Sequence, residues 1–253
     1  MITSALFYAA AVPAVMLMGL SKGGFSGIGL LSLPLMALAV SPVQAAAVML
    51  PILMVQDVVT VWSFRRDFDR RNLAILLPSS AAGVLVAWLL AAKISDAAVA
   101  LAVGAVSIAF AVRRLAAERS TPPPPKRAGV AAGVFWGLAV GFTSMIAHAG
   151  GPPFQIYVLP QRLARDVFVG TGAILFAAIN WIKVPPYWAL GQFTAENLWT
   201  SAALFPLALA STFAGVRLVR RVAAERFYTV IYGLLVLVGG KLLWDGWAGL
   251  HGT

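Results

Sequence analysis

The sequence predicts an all-α integral membrane protein of about eight to ten transmembrane or half-membrane helices, in two inverted-topology repeats with broken helices at the midplane. Three observations predict it. Of 253 residues, 60% are hydrophobic and only 11% charged, against roughly 25% charged in an ordinary soluble domain. The apolar residues gather into runs of near-spanning length. A polar, proline-rich stretch divides the chain close to its middle.

The runs cover residues 4–20, 28–40, 43–63, 73–92, 97–112, 129–147, 167–182, 198–216 and 227–244. No Lys or Arg precedes the first, and the first positive charge, Lys22, follows it; that run reads as a retained helix, not a cleavable leader. There is no cysteine, so thiol redox chemistry, disulfides and thiolate metal sites are excluded.

The net charge is +10, and fifteen of the nineteen Lys and Arg lie within residues 65–71, 113–127, 162–165 and 217–226. Basic charge confined to short loops between apolar runs sets membrane orientation and does not indicate nucleic acid. The expected location is a bacterial-type plasma (inner) membrane, with these four loops in the cytoplasm and both termini outside. Trp88, Trp188, Trp199, Trp244 and Trp247 then fall at outward ends of their runs, as in an interfacial aromatic belt.

The segment AAERSTPPPPKRAG begins at Ala116 and reads as a linker. The expected organisation is a first membrane repeat over 1–115, a cytoplasmic linker over 116–128 and a second repeat over 129–253. An offset of about 122 residues lays Gly141 on Gly19, Thr143 on Ser21, His148 on Ser26 and Gly151 on Gly29. The basic loop at 65–71 then corresponds to the nearly uncharged loop near Gly191, so equivalent loops lie on opposite sides, as in an inverted repeat.

GFTSMIAHAGGPP, from Gly141 to Pro153, interrupts an apolar run. From Ala149 to Pro160 a helix would measure about 18 Å, too short for a hydrocarbon core of about 30 Å. The element therefore reads as a half-helix beginning inside the membrane, with Gly150 and Gly151 allowing close approach and Pro152 and Pro153 favouring a helix start. Half-helix starts attract anions. GLSKGGFSGIG, from Gly19 to Gly29, offers matching chemistry with the charge of Lys22 added. Candidate substrate ligands are Lys22, Gly24, Ser26, Ser144, His148, Gly150 and Gly151; the competing reading is that the glycines only let helices pack.

Asn180 and Lys183 lie three residues apart, on one helix face. A charge at the bilayer centre costs roughly 2.5 to 3.5 kcal/mol and so faces a cavity or partner. Lys183 is read either as a substrate charge or as an outward-snorkelling anchor, because Pro185 and Pro186 are expected to end the helix just beyond it. Asp57 falls near the position equivalent to Asn180, and is read as an ion-pair partner of Lys22 or Lys183 or as a proton carrier. Thr171 is a candidate hydroxyl donor to an oxyanion, or bonds its own helix. His148 stabilises the break, contacts substrate or carries a coupling proton; alone, it cannot build a metal site. No metal or cofactor is expected. The expected partners are a small anionic substrate and the lipid bilayer, with no nucleic acid and oligomeric state left open, a homo-oligomer included.

The run AHAGGPPFQIYVLPQ, followed by VFVGTGAILFAAINWIKVPPYWALG, resembles the second-half signature of the TauE/SafE family of sulfite and organosulfonate exporters. GLSKGGFSGIGLLSLPLMA resembles the first-half pattern more loosely. The resemblance implies a non-enzymatic transporter moving a small sulfur-containing anion outward. Two other classes compete. GFSG at Gly24–Gly27 with His148 is similar to the serine and histidine elements of rhomboid intramembrane proteases, although Pro152 and Pro153 interrupt the helix after the histidine. A non-transporting scaffold would need neither paired breaks nor buried basic residues.

Overall fold

The computed structural model describes residues 1–23, 27–91, 95–117, 129–218 and 225–251. Among them every regular element is helical. The order is α1 (Ala5–Lys22), a 3-10 turn (Ile28–Leu31) leading into α2 (Ser32–Met36), α3 (Pro42–Phe64), α4 (Arg70–Ala91) and α5 (Asp96–Ala117). Then follow α6 (Val130–Ala147), α7 (Gly151–Val158) with a 3-10 turn (Leu159–Gln161), α8 (Arg165–Ala189), α9 (Ala195–Leu218) and α10 (Glu225–His251). Seven helices, α1, α3, α4, α5, α6, α8 and α9, are long and apolar enough to cross a bilayer. The protein is a multi-pass membrane protein. Gly24, Ser26 and most of the expected linker lie outside the described residues.

Polar residues start five of the long helices, α1, α3, α4, α5 and α9. Ser4, Ser41, Asp69, Ser95 and Thr194 each accept an amide proton from the residue three positions on, the side-chain cap that satisfies a helix start. α6, the interior half-helix α7 and α8 begin at Gly129, Gly150 and Ala164, with no side-chain cap. α2 has five residues and α7 eight, so both stop far short of crossing. Each follows a long helix, α1 or α6, and packs against it.

Packing between the halves is reciprocal. α1 lies on α9 and α6 on α4; α3 lies on α9 and α8 on α4; α3 meets α8, and α5 meets α10. The contacts repeat in detail. Ser211 Oγ of α9 donates to the Val15 carbonyl of α1 at 3.4 Å, and Ser80 Oγ of α4 donates to the Gly137 carbonyl of α6 at 3.0 Å. Val15 and Gly137 are separated by the same offset that aligns Gly19 with Gly141. A Cβ at Gly19 would overlap Ser211, and one at Gly141 would overlap Ser80. Glycine is therefore needed at both crossings because the partner helix occupies the space a side chain would take. Amide pairs complete the exchange: Asn72 at the start of α4 bonds Gln161 at 3.0 and 3.1 Å, and Gln44 of α3 donates to Asn197 of α9 at 3.3 Å.

α8 departs from its expected course. Pro185 and Pro186 do not end it; the helix continues to Ala189. Proline removes an amide donor and one rung of the ladder, but membrane helices tolerate this where neighbours pack around the freed groups. Here Tyr187, just beyond the prolines, is buried and donates from its hydroxyl to the Met145 carbonyl of α6 at 3.2 Å.

Candidate functional site: a charged cavity at the paired helix breaks

Where α1 and α6 end, α3 and α8 pass beside them and a cavity of about 140 Å³ remains. One wall is aromatic. Phe154 of α7 packs on Phe168 and Phe176 of α8 with ring centroids 5.3 and 5.6 Å away, and all three face the cavity. The polar wall carries Lys22, Asp57, Asn180, Ser144 and His148.

Lys22 is the last residue of α1, where the negative end of the helix dipole favours a cation. Its ammonium is paired with Asp57 Oδ1, and Asp57 is buried. Asn180 donates from its amide to Asp57 Oδ2 at 2.6 Å. Each carboxylate oxygen therefore has its own donor, from a different helix. This is the arrangement that makes a buried charge tolerable in a low-dielectric interior.

Lys183 lies one turn further along α8, fully buried. Its ammonium reaches the Ser144 carbonyl at 3.2 Å, Ser144 Oγ at 3.3 Å and His148 Nδ1 at 2.7 Å. Three N–H groups meet three acceptors. Lys183 neither snorkels outward nor lines the cavity; it lies behind the polar wall and holds Ser144 and His148 in place.

His148 is held from both sides of its ring. Nε2 lies 2.9 Å from the Ala46 carbonyl of α3, which can only accept, so Nε2 carries the proton and Nδ1 accepts from Lys183. The backbone is unusual as well: His148 caps α6 with φ 48°, a left-handed conformation that costs a side-chain-bearing residue roughly 1 to 2 kcal/mol. Its amide bonds the Ser144 carbonyl and that of Ala149 bonds Thr143, at 3.1 and 3.2 Å, in the pattern that usually ends a helix on glycine. An imidazole kept where glycine is cheaper points to use of its ring. With both nitrogens engaged, neither is open to activate a serine hydroxyl.

Gly151 lines the cavity, and a Cβ there would meet only Gln155 Nε2, at 3.9 Å. Gly150 is packed against Phe176, Val140 and Ser144 instead. The start of α7 offers an anion less than its position suggests. Pro152 and Pro153 have no N–H, and the Phe154 amide is taken by the Gly150 carbonyl at 3.2 Å. Among the described residues, the full positive charge in the polar wall therefore comes from Lys22. Thr171 lies away from the cavity: it accepts the Asp69 amide at 2.8 Å and donates to the Val167 carbonyl at 2.6 Å, which docks the start of α4 on α8. Among the described residues no three His, Asp or Glu side chains gather as a metal site.

Sequence reasoning missed Gln155 and the three phenylalanines. Gln155 stands four residues after Gly151, on the same face of α7, and is a polar side chain in an otherwise apolar half-helix; those two signals could have marked it.

A second cavity, of about 230 Å³, lies at the other ends of the same helices. The first touches α3 at Leu53, Asp57 and Thr60 and α8 from Phe168 to Asn180. The second touches α3 at Val43 and Ala46 and α8 at Tyr187. Between them stand the last residues of α6, with Ser144 and His148 on one side and Met145 and Ile146 on the other.

A multi-pass helical protein whose helices break in pairs around a charged interior cavity has the architecture of a membrane transporter. Residues 11–242 match the family model described as Sulfite exporter TauE/SafE. The chain belongs to that family. No solved structure and no curated relative matches it.

Proposed function

We propose that this protein is a secondary transporter that exports small oxyanions, such as sulfite, an organosulfonate or a related organic acid, driven by the membrane potential. The observation that carries this reading is the polar wall. A lysine ammonium and an asparagine amide converge there, beside an aromatic face, in a cavity between α3 and α8. The family's printed description supports the sulfur-oxyanion class.

The reading includes two membrane repeats, 1–115 and 129–253, joined by a cytoplasmic linker over 116–128 and inserted in opposite senses. The reciprocal packing of α1 on α9 and α6 on α4 supports equivalence of the halves. Taken as re-entrant hairpins, α1 with α2 and α6 with α7 leave three full crossings in each half, α3 to α5 and α8 to α10, an odd number that inserts the halves in opposite senses. The basic loops support a cytoplasmic placement of 65–71 and 162–165 and external termini, in a bacterial-type plasma membrane. In that orientation the first cavity, which reaches Thr60 and Phe168 near those loops, faces the cytoplasm, and the end of α6 closes it from outside. Lys22, Asn180, Gln155 and the Gly151 amide would contact substrate. His148 and Lys183 would hold the outer closure. Absence of a nucleotide-binding motif in the sequence accords with a secondary mechanism.

The test is a binding screen of the purified protein against sulfite, methanesulfonate, acetate and size-matched neutral and cationic compounds. Saturable binding of the sulfur oxyanions, absent for the neutral and cationic compounds, is expected. Binding of neutral or cationic compounds alone contradicts the reading.

A further inference from the structure

Among the described residues, Lys22 is the only cation lining the cavity, and it is already occupied. Asp57 Oδ1 holds its ammonium, and Asp57 Oδ2 holds the amide of Asn180. Lys183 is no substitute, since its three protons rest on Ser144 and His148. The donors an oxyanion needs are the donors that Asp57 takes. An oxyanion placed on Lys22 beside an ionised Asp57 would bring two negative charges within a few ångströms in a low-dielectric wall, where like charges repel strongly.

We propose that Asp57 is an internal stand-in for substrate: its carboxylate occupies the Lys22–Asn180 donor pair in the empty carrier and is displaced when the anion binds. This rests on the anion-site reading above. It also gives the pair a role in the return step. An empty carrier with Lys22 unpaired would move a bare charge through a dry interior, which is costly; with Asp57 in place the moving group is neutral. Substrate binding and carboxylate release are then one exchange, and anything that neutralises Asp57 favours the anion.

The groups turned towards this carboxylate can be enumerated. α1 brings Lys22, α6 brings His148, and α8 brings Asn180 with Lys183 behind the wall. α2 carries no charged residue, and α5 and α9 carry theirs only near their ends, at Asp96, Arg113, Arg114, Glu196 and Arg217.

The experiment compares wild type with Asp57→Asn, a substitution that keeps the shape and one acceptor. The probe is methanesulfonate, a monoanion near neutral pH. Binding is followed calorimetrically on purified protein and efflux in proteoliposomes. Asp57→Asn should bind about tenfold more tightly near neutral pH, a coupling of ordinary size, yet show slower net efflux because its empty form carries the unpaired charge. Asp57→Ser, a smaller neutral replacement, should behave the same way and takes its place if Asp57→Asn does not fold, whereas Asp57→Glu keeps the charge and should bind no more tightly than wild type. Equal or weaker binding by a folded neutral variant, or tightening in Asp57→Glu as large as in Asp57→Asn, overturns the stand-in role while leaving the anion site. No methanesulfonate or sulfite binding by any of these proteins overturns the anion site itself.

Discussion

Lys183 and His148 are joined by a 2.7 Å hydrogen bond that ties the middle of α8 to the end of α6, in the layer between two cavities. The far side of the same ring is fixed to the Ala46 carbonyl on α3. Closure at this level is thus polar and narrow, and rests on few groups. Hydrogen bonds of this kind contribute about 1 kcal/mol net each, little enough to be broken and remade in each transport cycle.

The first prediction concerns that layer. A cysteine at Ala173, which lines the first cavity, is otherwise the sole thiol in the chain. From outside, an impermeant thiol reagent should reach it slowly. His148→Ala removes both ring contacts and should raise the external labelling rate by about tenfold or more, corresponding to loss of roughly 1.4 kcal/mol of closure. Labelling rates in intact cells, with and without His148→Ala, check this; an unchanged rate in a folded variant would place the closure elsewhere.

The second concerns the ion pair. Lys22→Met should reduce anion binding at least tenfold and also lower the unfolding temperature, because it leaves Asp57 buried without its counter-ion, a loss of about 3 to 5 kcal/mol. Adding Asp57→Asn should restore much of the thermal stability but not the binding. Thermal unfolding and binding measured on the same three preparations separate the two effects. Recovery of binding in the double variant would show that Lys22 serves only to neutralise Asp57.

The third concerns orientation. Single cysteines at exposed Arg66, after α3, and exposed Glu196, at the start of α9, should label from opposite sides: Glu196→Cys from outside intact cells and Arg66→Cys only after the membrane is opened. Labelling of both from the same side would remove the inverted insertion of the halves.

Much of the fold was legible because a bilayer imposes a strong length rule. The apolar runs at 43–63 and 129–147 became α3 at Pro42–Phe64 and α6 at Val130–Ala147, and the half-helix expected from Ala149 onward became α7 at Gly151–Val158. The weaker inferences were those where one residue type serves two purposes. Pro185 and Pro186 read as a stop, but helix packing around Tyr187 carries α8 past them. Thr171 read either as a ligand or as bonding its own helix, and the second holds: its hydroxyl donates to the Val167 carbonyl and also accepts the Asp69 amide at the start of α4. Lys183 and Asn180 share a helix face, but a single turn separates the cavity wall from the layer behind it, and spacing alone cannot resolve that step. The Lys22–Asp57 pair was one of two pairings open from the sequence, which cannot say which lysine comes within reach of a carboxylate on another helix.

The most direct test of the central claim is efflux from proteoliposomes loaded with methanesulfonate and holding a potassium diffusion potential. Moving one negative charge outward from a negative interior releases about 2.3 kcal/mol per 100 mV, so export of a monoanion needs no coupled ion. Efflux should accelerate as the interior is made more negative, persist without a pH gradient, and fall at least tenfold in Lys22→Met. Efflux that ignores the potential and collapses when the pH gradient is removed would contradict potential-driven export.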